Sequence, residues 1–240
     1  MSSPNRVPLR LLIHGASGRM GRTLLRLSAE RDDVIVVAAV ARTPLSGDAS
    51  DAPFLSASAL ADVPAFDAAV DFSLPAGFDA ILDLCRHHRA AFVSGTTGLD
   101  SAQREALNQA ATEIPVLWSA NFSVGIAILG ELVERAAAAL PGWDCDIVEA
   151  HHTRKLDAPS GTALALGALA EQGGAQPHYA SLRAGDIVGE HLVQFAAAGE
   201  RIELIHRATN RDIFARGAVH AAVRLAGRAP GSYRLRDVLN

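Results

Sequence analysis

The chain has 240 residues, 49% of them hydrophobic, which suffices for one large core or two modest ones, and its formal charge of -4 offers nucleic acid no general attraction. Residues 1–10 lack the apolar stretch of a signal peptide, and the longest apolar run, 34–41, is far too short to cross a bilayer. Cys85 and Cys145 stand alone with no Cys-x-x-Cys spacing, so a cytoplasmic protein with neither disulfide framework nor thiolate zinc site is expected.

Residues 9–13 read as a buried strand, a glycine turn follows, and 20–30 carries leucines at helical spacing. The continuous β-branched run 34–40 suits a parallel strand covered on both faces. Further strands are predicted at 68–72, 91–94 and 116–118, with helices at 77–88 and 101–111 between them. This alternation predicts an α/β fold with a Rossmann-type, doubly wound parallel sheet.

After Asn121 the pattern changes. A long alanine-rich helix over 126–140, a strand ending at His151 and a helix from Gly161 are followed by β-like runs at 187–188, 192–196 and 202–206. These predict a second, α+β domain with a more antiparallel sheet. A helix over 214–226 is expected to return to the first domain, so residues 1–121 and 209–240 form one domain and 122–208 the other.

Gly15, Gly18 and Gly21 follow the first strand and open a helix, where a dinucleotide pyrophosphate needs a tight turn and free backbone amides. At the end of the second strand, Ala41-Arg42 stands where an acidic residue would take the ribose hydroxyls; Arg42 can instead pair with a 2′-phosphate, which leans toward NADPH with NADH still possible. Gly95-Thr96-Thr97-Gly98 follows the fourth strand, at the edge where such sheets bind ligands.

The richest segment is 149–163, which holds Glu149, His151, His152, Arg154, Lys155 and a helix start at Ser160-Gly161-Thr162. Unpaired amides at that start and the cation of Lys155 suit a carboxylate, and the histidines suit proton transfer. Their spacing is not that of a zinc site, so no metal is expected.

These motifs together resemble the 4-hydroxy-tetrahydrodipicolinate reductase (dihydrodipicolinate reductase) family of lysine and diaminopimelate biosynthesis. The resemblance rests on Gly-Ala-Ser-Gly-Arg-Met-Gly at 15–21, Gly-Thr-Thr-Gly at 95–98, Ala-Asn-Phe-Ser-Val-Gly at 120–125, Glu-Ala-His-His at 149–152, Lys155, Asp-Ala-Pro-Ser-Gly-Thr-Ala at 157–163 and Arg-Ala-Gly-Asp-Ile-Val-Gly-Glu-His at 183–191. It implies reduction of a cyclic imine dicarboxylate by hydride from NADPH or NADH, with its hydroxyl lost as water before or during the reaction. It implies His151 as proton donor or acceptor, Lys155 as second proton donor, and His152, Ser160, Gly161 and Thr162 at the substrate. The cofactor would be held by Gly15, Ala16, Ser17, Gly18, Arg19, Met20, Arg42, Gly95, Thr96, Thr97, Ser119, Ala120, Asn121 and Phe122.

The chain departs from the family pattern at Ala41, often acidic there, and at Thr153-Arg154, often Arg-His. Between Glu171 and Arg183 it is also shorter than the familiar pattern, as though part of the second domain were missing, so a homo-oligomer is expected without commitment to the family tetramer. A reductase of another small dicarboxylate and a non-catalytic NADPH-binding regulator remain as alternatives. A short-chain dehydrogenase is disfavoured, because Arg183, not lysine, lies four residues after Tyr179.

Overall fold

The first strand, β1 (Leu9–His14), is apolar along its inner length, and helix α1 (Arg19–Ala29) lays Leu24, Leu25 and Leu27 onto the sheet. The coordinates are a computed structural model, which describes residues 7–44 and 52–239. The signal-peptide reading of 1–10 therefore lies mostly outside the described residues. Strand β2 (Val34–Ala41) pairs parallel with β1 and with a short strand β3 (Phe54–Ser56).

Strand β4 (Ala68–Asp71) leads to α2 (Pro75–His88), which starts at a proline whose missing N–H costs a first helical turn nothing. Strand β5 (Ala91–Ser94) leads to α3 (Ser101–Ala110), capped by Asp100 and Gln103 in reciprocal hydrogen bonds, and then comes β6 (Pro115–Trp118). Among the described residues, seven parallel strands form one sheet, in the order β11-β6-β5-β4-β1-β2-β3, where β11 is the late strand Gly231–Tyr233. The order reverses between β1 and β4, the switch point at which ligands enter such sheets. Phe78, Ile81, Phe92 and Leu12 fill the core on one side.

A second sheet is built from β7 (Asp144–His151), β8 (Pro177–Arg183), β9 (Gly189–Ala197) and β10 (Glu200–Ala208), in the order β10-β9-β7-β8. Helices α4 (Val124–Ala139) and α5 (Gly161–Gln172) cover one face, joining Leu129, Val133, Cys145, Leu166, Val193 and Phe195 in a core. The sheet is mixed. β7 runs parallel to β8 through the crossover helix α5, whereas β7–β9 and β9–β10 are antiparallel. Helix α6 (Asp212–Leu225) carries the chain onward from this unit. The chain divides into Met1–Phe122 with Phe214–Asn240, and Ser123–Ile213.

Strands β3, β8 and β11 are not among the elements expected from sequence, and 187–188 is not a strand: the Ile187 carbonyl instead accepts the His152 amide at 2.7 Å. The brief stretch after Glu171 is also not a gap in the fold, because β8 occupies it and completes the second sheet's edge.

Candidate active site

Parallel register sets His14, Asp71, Ser94 and Trp118 side by side at the carboxyl ends of β1, β4, β5 and β6. The loops that follow three of these strands carry residues 15–20, 95–97 and 119–122, so the cofactor candidates share one sheet edge. Gly15 adopts φ +79, and a Cβ there would sit 2.5 Å from the Phe72 carbonyl oxygen. A Cβ on Gly21 would collide with the Gly15 carbonyl, so α1 can approach the loop only because Gly21 has none.

Gly18 is the N-cap of α1, no side chain caps the helix and no acid occupies its first turn, which leaves Arg19 and Met20 beginning a helix suited to an anion. A cleft of about 410 Å³ opens over this loop, lined by Gly15, Ser17, Gly18 and Arg42 among others, and among the described residues no acidic side chain lines it. Glycines that a Cβ would fill, an uncapped helix and a cation at the rim fit a dinucleotide phosphate chain.

The other cofactor candidates are arranged differently. Thr96 is buried and its hydroxyl donates to Asp71 at 2.8 Å, while its carbonyl accepts from the Trp118 indole at 2.8 Å, so its side chain braces the loop. Gly95 packs against the Phe72 ring, where a Cβ would lie 2.6 Å from Cζ. The Ser119 hydroxyl donates to the Asn121 carbonyl at 2.7 Å and accepts the Asn121 amide at 3.2 Å, shaping the turn that includes Ala120. Phe122 is buried with its ring 5.5 Å from Phe72, a packing role.

Beneath these loops lies a network that the sequence reading did not identify. Buried Asp71 accepts from His14 Nδ1, Ser94 Oγ and Thr96 Oγ1, each at 2.8 Å, and from the Ser73 amide at 3.1 Å. Burial alone would raise its pKa, but the hydrogen bonds from His14, Ser73 and Thr96 outweigh that and hold the carboxyl below its usual range.

In the second unit, β7 ends at His151 and presents Glu149 on the same side of the strand. Glu149 is 1% exposed, accepts from His151 Nδ1 at 2.5 Å and meets Arg183 of β8 at 2.8 and 3.0 Å. Burial would raise the Glu149 pKa, yet Arg183, Ser181 and His151 lower it to about 2. His191 of β9 stands across from Glu149, its ring 5.3 Å from that of His151, and burial pushes its pKa down to about 4. His152 is also lowered, first by lost hydration and then by Arg154, Arg211, His151 and Lys155.

Ser160 is the N-cap of α5, accepting the Ala163 amide at 3.2 Å, and its own amide donates to Glu149 at 3.3 Å. The buried Ser160 hydroxyl also meets His191 Nε2 at 3.3 Å, so it serves the helix start and not open space. Gly161 is exposed with nothing near its absent Cβ, and it begins the helix with Thr162. Lys155 Nζ donates to both Asp157 oxygens at 2.8 and 2.9 Å, which holds the Asp157 pKa down. The unit therefore joins an oriented imidazole, an ammonium and an uncrowded helix N-terminus, a set able to bind a carboxylate and pass a proton. No metal-binding cluster occurs among the described residues.

Glu149 has a sequence signal in its two-residue spacing from His151 on a strand, and Arg183 and His191 bound the motif at 183–191. That the three meet was not legible, because they join only through the pairing of β7 with β8 and β9. No helix among the described residues is long and apolar enough to cross a membrane.

Comparison with known proteins gives concordant matches for both units. Residues 9–122 match the family model described as dihydrodipicolinate reductase, N-terminus, and residues 125–239 the one described as dihydrodipicolinate reductase, C-terminus. The 4-hydroxy-tetrahydrodipicolinate reductase of Stenotrophomonas maltophilia (strain R551-3) is 67% identical over 237 residues, covering 98% of this chain and 99% of that protein. Its counterpart from Xylella fastidiosa (strain 9a5c) is 61% identical over 96% of this chain and 98% of its own. A dipicolinate-bound dihydrodipicolinate reductase from Paenisporosarcina sp. TG-14 superposes with a TM-score of 0.82 at 21% identity, covering 97% of this chain and 100% of that one, a likeness of fold. The near-complete coverage of these relatives means that the brevity after Glu171 is no truncation peculiar to this chain.

Proposed function

The chain belongs to the dihydrodipicolinate reductase family, and on that premise we propose how its residues divide the work. The activity is reduction of 4-hydroxy-tetrahydrodipicolinate, with NAD(P)H, in the biosynthesis of diaminopimelate and lysine. Gly15 to Met20 hold the cofactor's phosphates through loop and helix amides, and the loops at Gly95–Thr97 and Ser119–Phe122 flank the rest of it, braced by Asp71. When bound, the nicotinamide supplies a hydride. NADPH is the preferred form, because Arg42 lines the cleft beside Ala41 and, among the described residues, no carboxylate lines it to repel a 2′-phosphate.

His152 and the amides of Gly161 and Thr162 bind the substrate's carboxylates. Ser160 supports them by fixing the start of α5. Hydride addition to the conjugated imine pushes an electron pair onto the ring nitrogen, where Lys155 and His151 stabilise the developing charge, and a proton from one of them completes the reduction. The observation that carries this assignment is the His151 ring held at 2.5 Å by a buried carboxylate beside the α5 N-terminus.

The protein acts in the cytoplasm, where its nicotinamide cofactor is available. It self-associates through the second sheet, whose outer face leaves Leu182 57% and Ile205 42% exposed; sedimentation analysis tests this. Calorimetric titration of the wild type and Arg42→Ala with both nicotinamides tests the coenzyme reading. Arg42→Ala should weaken NADPH binding about tenfold and leave NADH within about twofold. Equal losses for both would remove Arg42 as the discriminating residue.

A further inference from the structure

An arginine beside a dicarboxylate site is ordinarily assigned to a substrate carboxylate. Arg183 has no accessible donor left for one. NH1 donates to Glu149 Oε2 at 3.0 Å and to the Leu182 carbonyl at 2.6 Å, and NH2 donates to Glu149 Oε1 at 2.8 Å and to the Asp157 carbonyl at 2.6 Å. These four bonds use all four terminal N–H groups, and the fifth donor, Nε, is buried and makes no hydrogen bond.

The Glu149 carboxylate is equally committed. Oε2 accepts from His151 Nδ1 and Arg183, and Oε1 from Arg183 and the Ser160 amide at 3.3 Å. A fully buried carboxylate surrounded by donors is an acceptor at every contact, so His151 Nδ1 carries a hydrogen whether the ring is neutral or charged. The proton that the ring exchanges is then the one on Nε2. Nε2 faces Gly189, where a Cβ would come within 3.0 Å, and the glycine keeps that edge of the ring clear.

We propose that Arg183 and Glu149 form a positioning pair for His151, holding its Nδ1–H and ring plane so that Nε2 is the proton-handling atom, and that Arg183 does not bind substrate. The inference rests on His151 being the proton-handling group. The same pair ties β7, β8, the Asp157 carbonyl and the start of α5 together, so the imidazole and the proposed carboxylate-binding amides share one brace.

The test combines one measurement on the unaltered protein with a set of variants. Proton NMR of the wild type should give a strongly downfield imidazole N–H resonance that disappears in His151→Ala and in Glu149→Gln. Glu149→Gln should lower kcat by about 10³-fold, as expected when an orienting carboxylate is lost, with dipicolinate affinity and KM within about threefold. Arg183→Lys should lower kcat at least tenfold, again with dipicolinate affinity within about threefold. Adding Glu149→Gln to His151→Ala should cost no more than about threefold beyond His151→Ala alone, because the pair acts only through the ring.

Absence of the resonance from folded wild-type protein would overturn the proposal whether or not any variant folds. So would loss of dipicolinate binding in an Arg183→Lys protein that still binds NADPH, which would make Arg183 a substrate ligand. Full activity in His151→Ala would instead refute the proton-donor reading beneath it, an outcome distinct from a dead His151→Ala beside an active Glu149→Gln.

Discussion

His191 makes the second unit sensitive to mild acid, and replacing it by glutamine should remove much of that sensitivity. The side chain is 4% exposed, its Nε2 meets Ser160 Oγ at 3.3 Å, and its Nδ1 is buried and makes no hydrogen bond. Burial, reinforced by His151, lowers its pKa to about 4 from an ordinary value near 6.5. The unfolded chain thus takes up the proton at higher pH than the folded one, so the stabilisation is fully present above about pH 6.5 and is lost as pH falls toward 4. At 1.36 kcal/mol per unit the full shift corresponds to about 3 kcal/mol, of which about 2 kcal/mol disappears between pH 7 and pH 5. Urea unfolding can be followed in a Trp118→Phe background, where Trp143 is the remaining indole and reports on the second unit. Between those two pH values the parent should lose about 2 kcal/mol more than His191→Gln. Equal losses would refute the argument that this histidine is kept neutral by burial.

Gly21→Val should weaken binding of both nicotinamides by about 10- to 100-fold, because a side chain there collides with the Gly15 carbonyl and forces α1 off the loop; calorimetry reads this, and unchanged affinity would contradict the proposed cradle. Lys155→Ala should bind NADPH normally and lower kcat/KM by about 10²-fold or more, and weakened cofactor binding with normal turnover would move Lys155 out of the substrate site. Glu149, whose pKa falls to about 2 from an ordinary value near 4.3, stabilises the fold above about pH 4.5 and ceases to do so as pH falls through 2. Glu149→Gln should therefore flatten the acid-unfolding curve below pH 4.5 while lowering stability at neutral pH, because Arg183 is left unpaired.

Hydrophobic period and glycine spacing made the first unit readable, since β1, β2, β4 and β5 are apolar runs and the helices after β1, β4 and β5 begin at recognisable turns. β8 escaped because its sequence, Pro-His-Tyr-Ala-Ser-Leu-Arg, is largely exposed and carries little apolar alternation. β3 and β11, three residues each, exist by virtue of a neighbouring strand's free edge and not by their own propensity. The same limit applies to the site. His151, Lys155 and the α5 start lie within a few residues and were legible together, whereas the clamp on Glu149 spans 34 residues to Arg183 and needs the β7–β8 register. The Asp71 network likewise joins His14, 57 residues earlier, to Ser94 and Thr96 across three strands. Thr96 and Ser160 add a local role visible only in the fold, the Thr96 hydroxyl bracing its loop through Asp71 and the Ser160 hydroxyl capping α5.

The most direct test is substrate-dependent oxidation of NADPH and of NADH by the purified chain, with the unstable substrate made freshly from pyruvate and aspartate semialdehyde by a coupling synthase. Rapid oxidation that needs the substrate, is faster with NADPH and is lost in both His151→Ala and Lys155→Ala is the expected result. A folded chain that binds NADPH yet oxidises neither nicotinamide, or a His151→Ala variant as fast as its parent, would contradict the account.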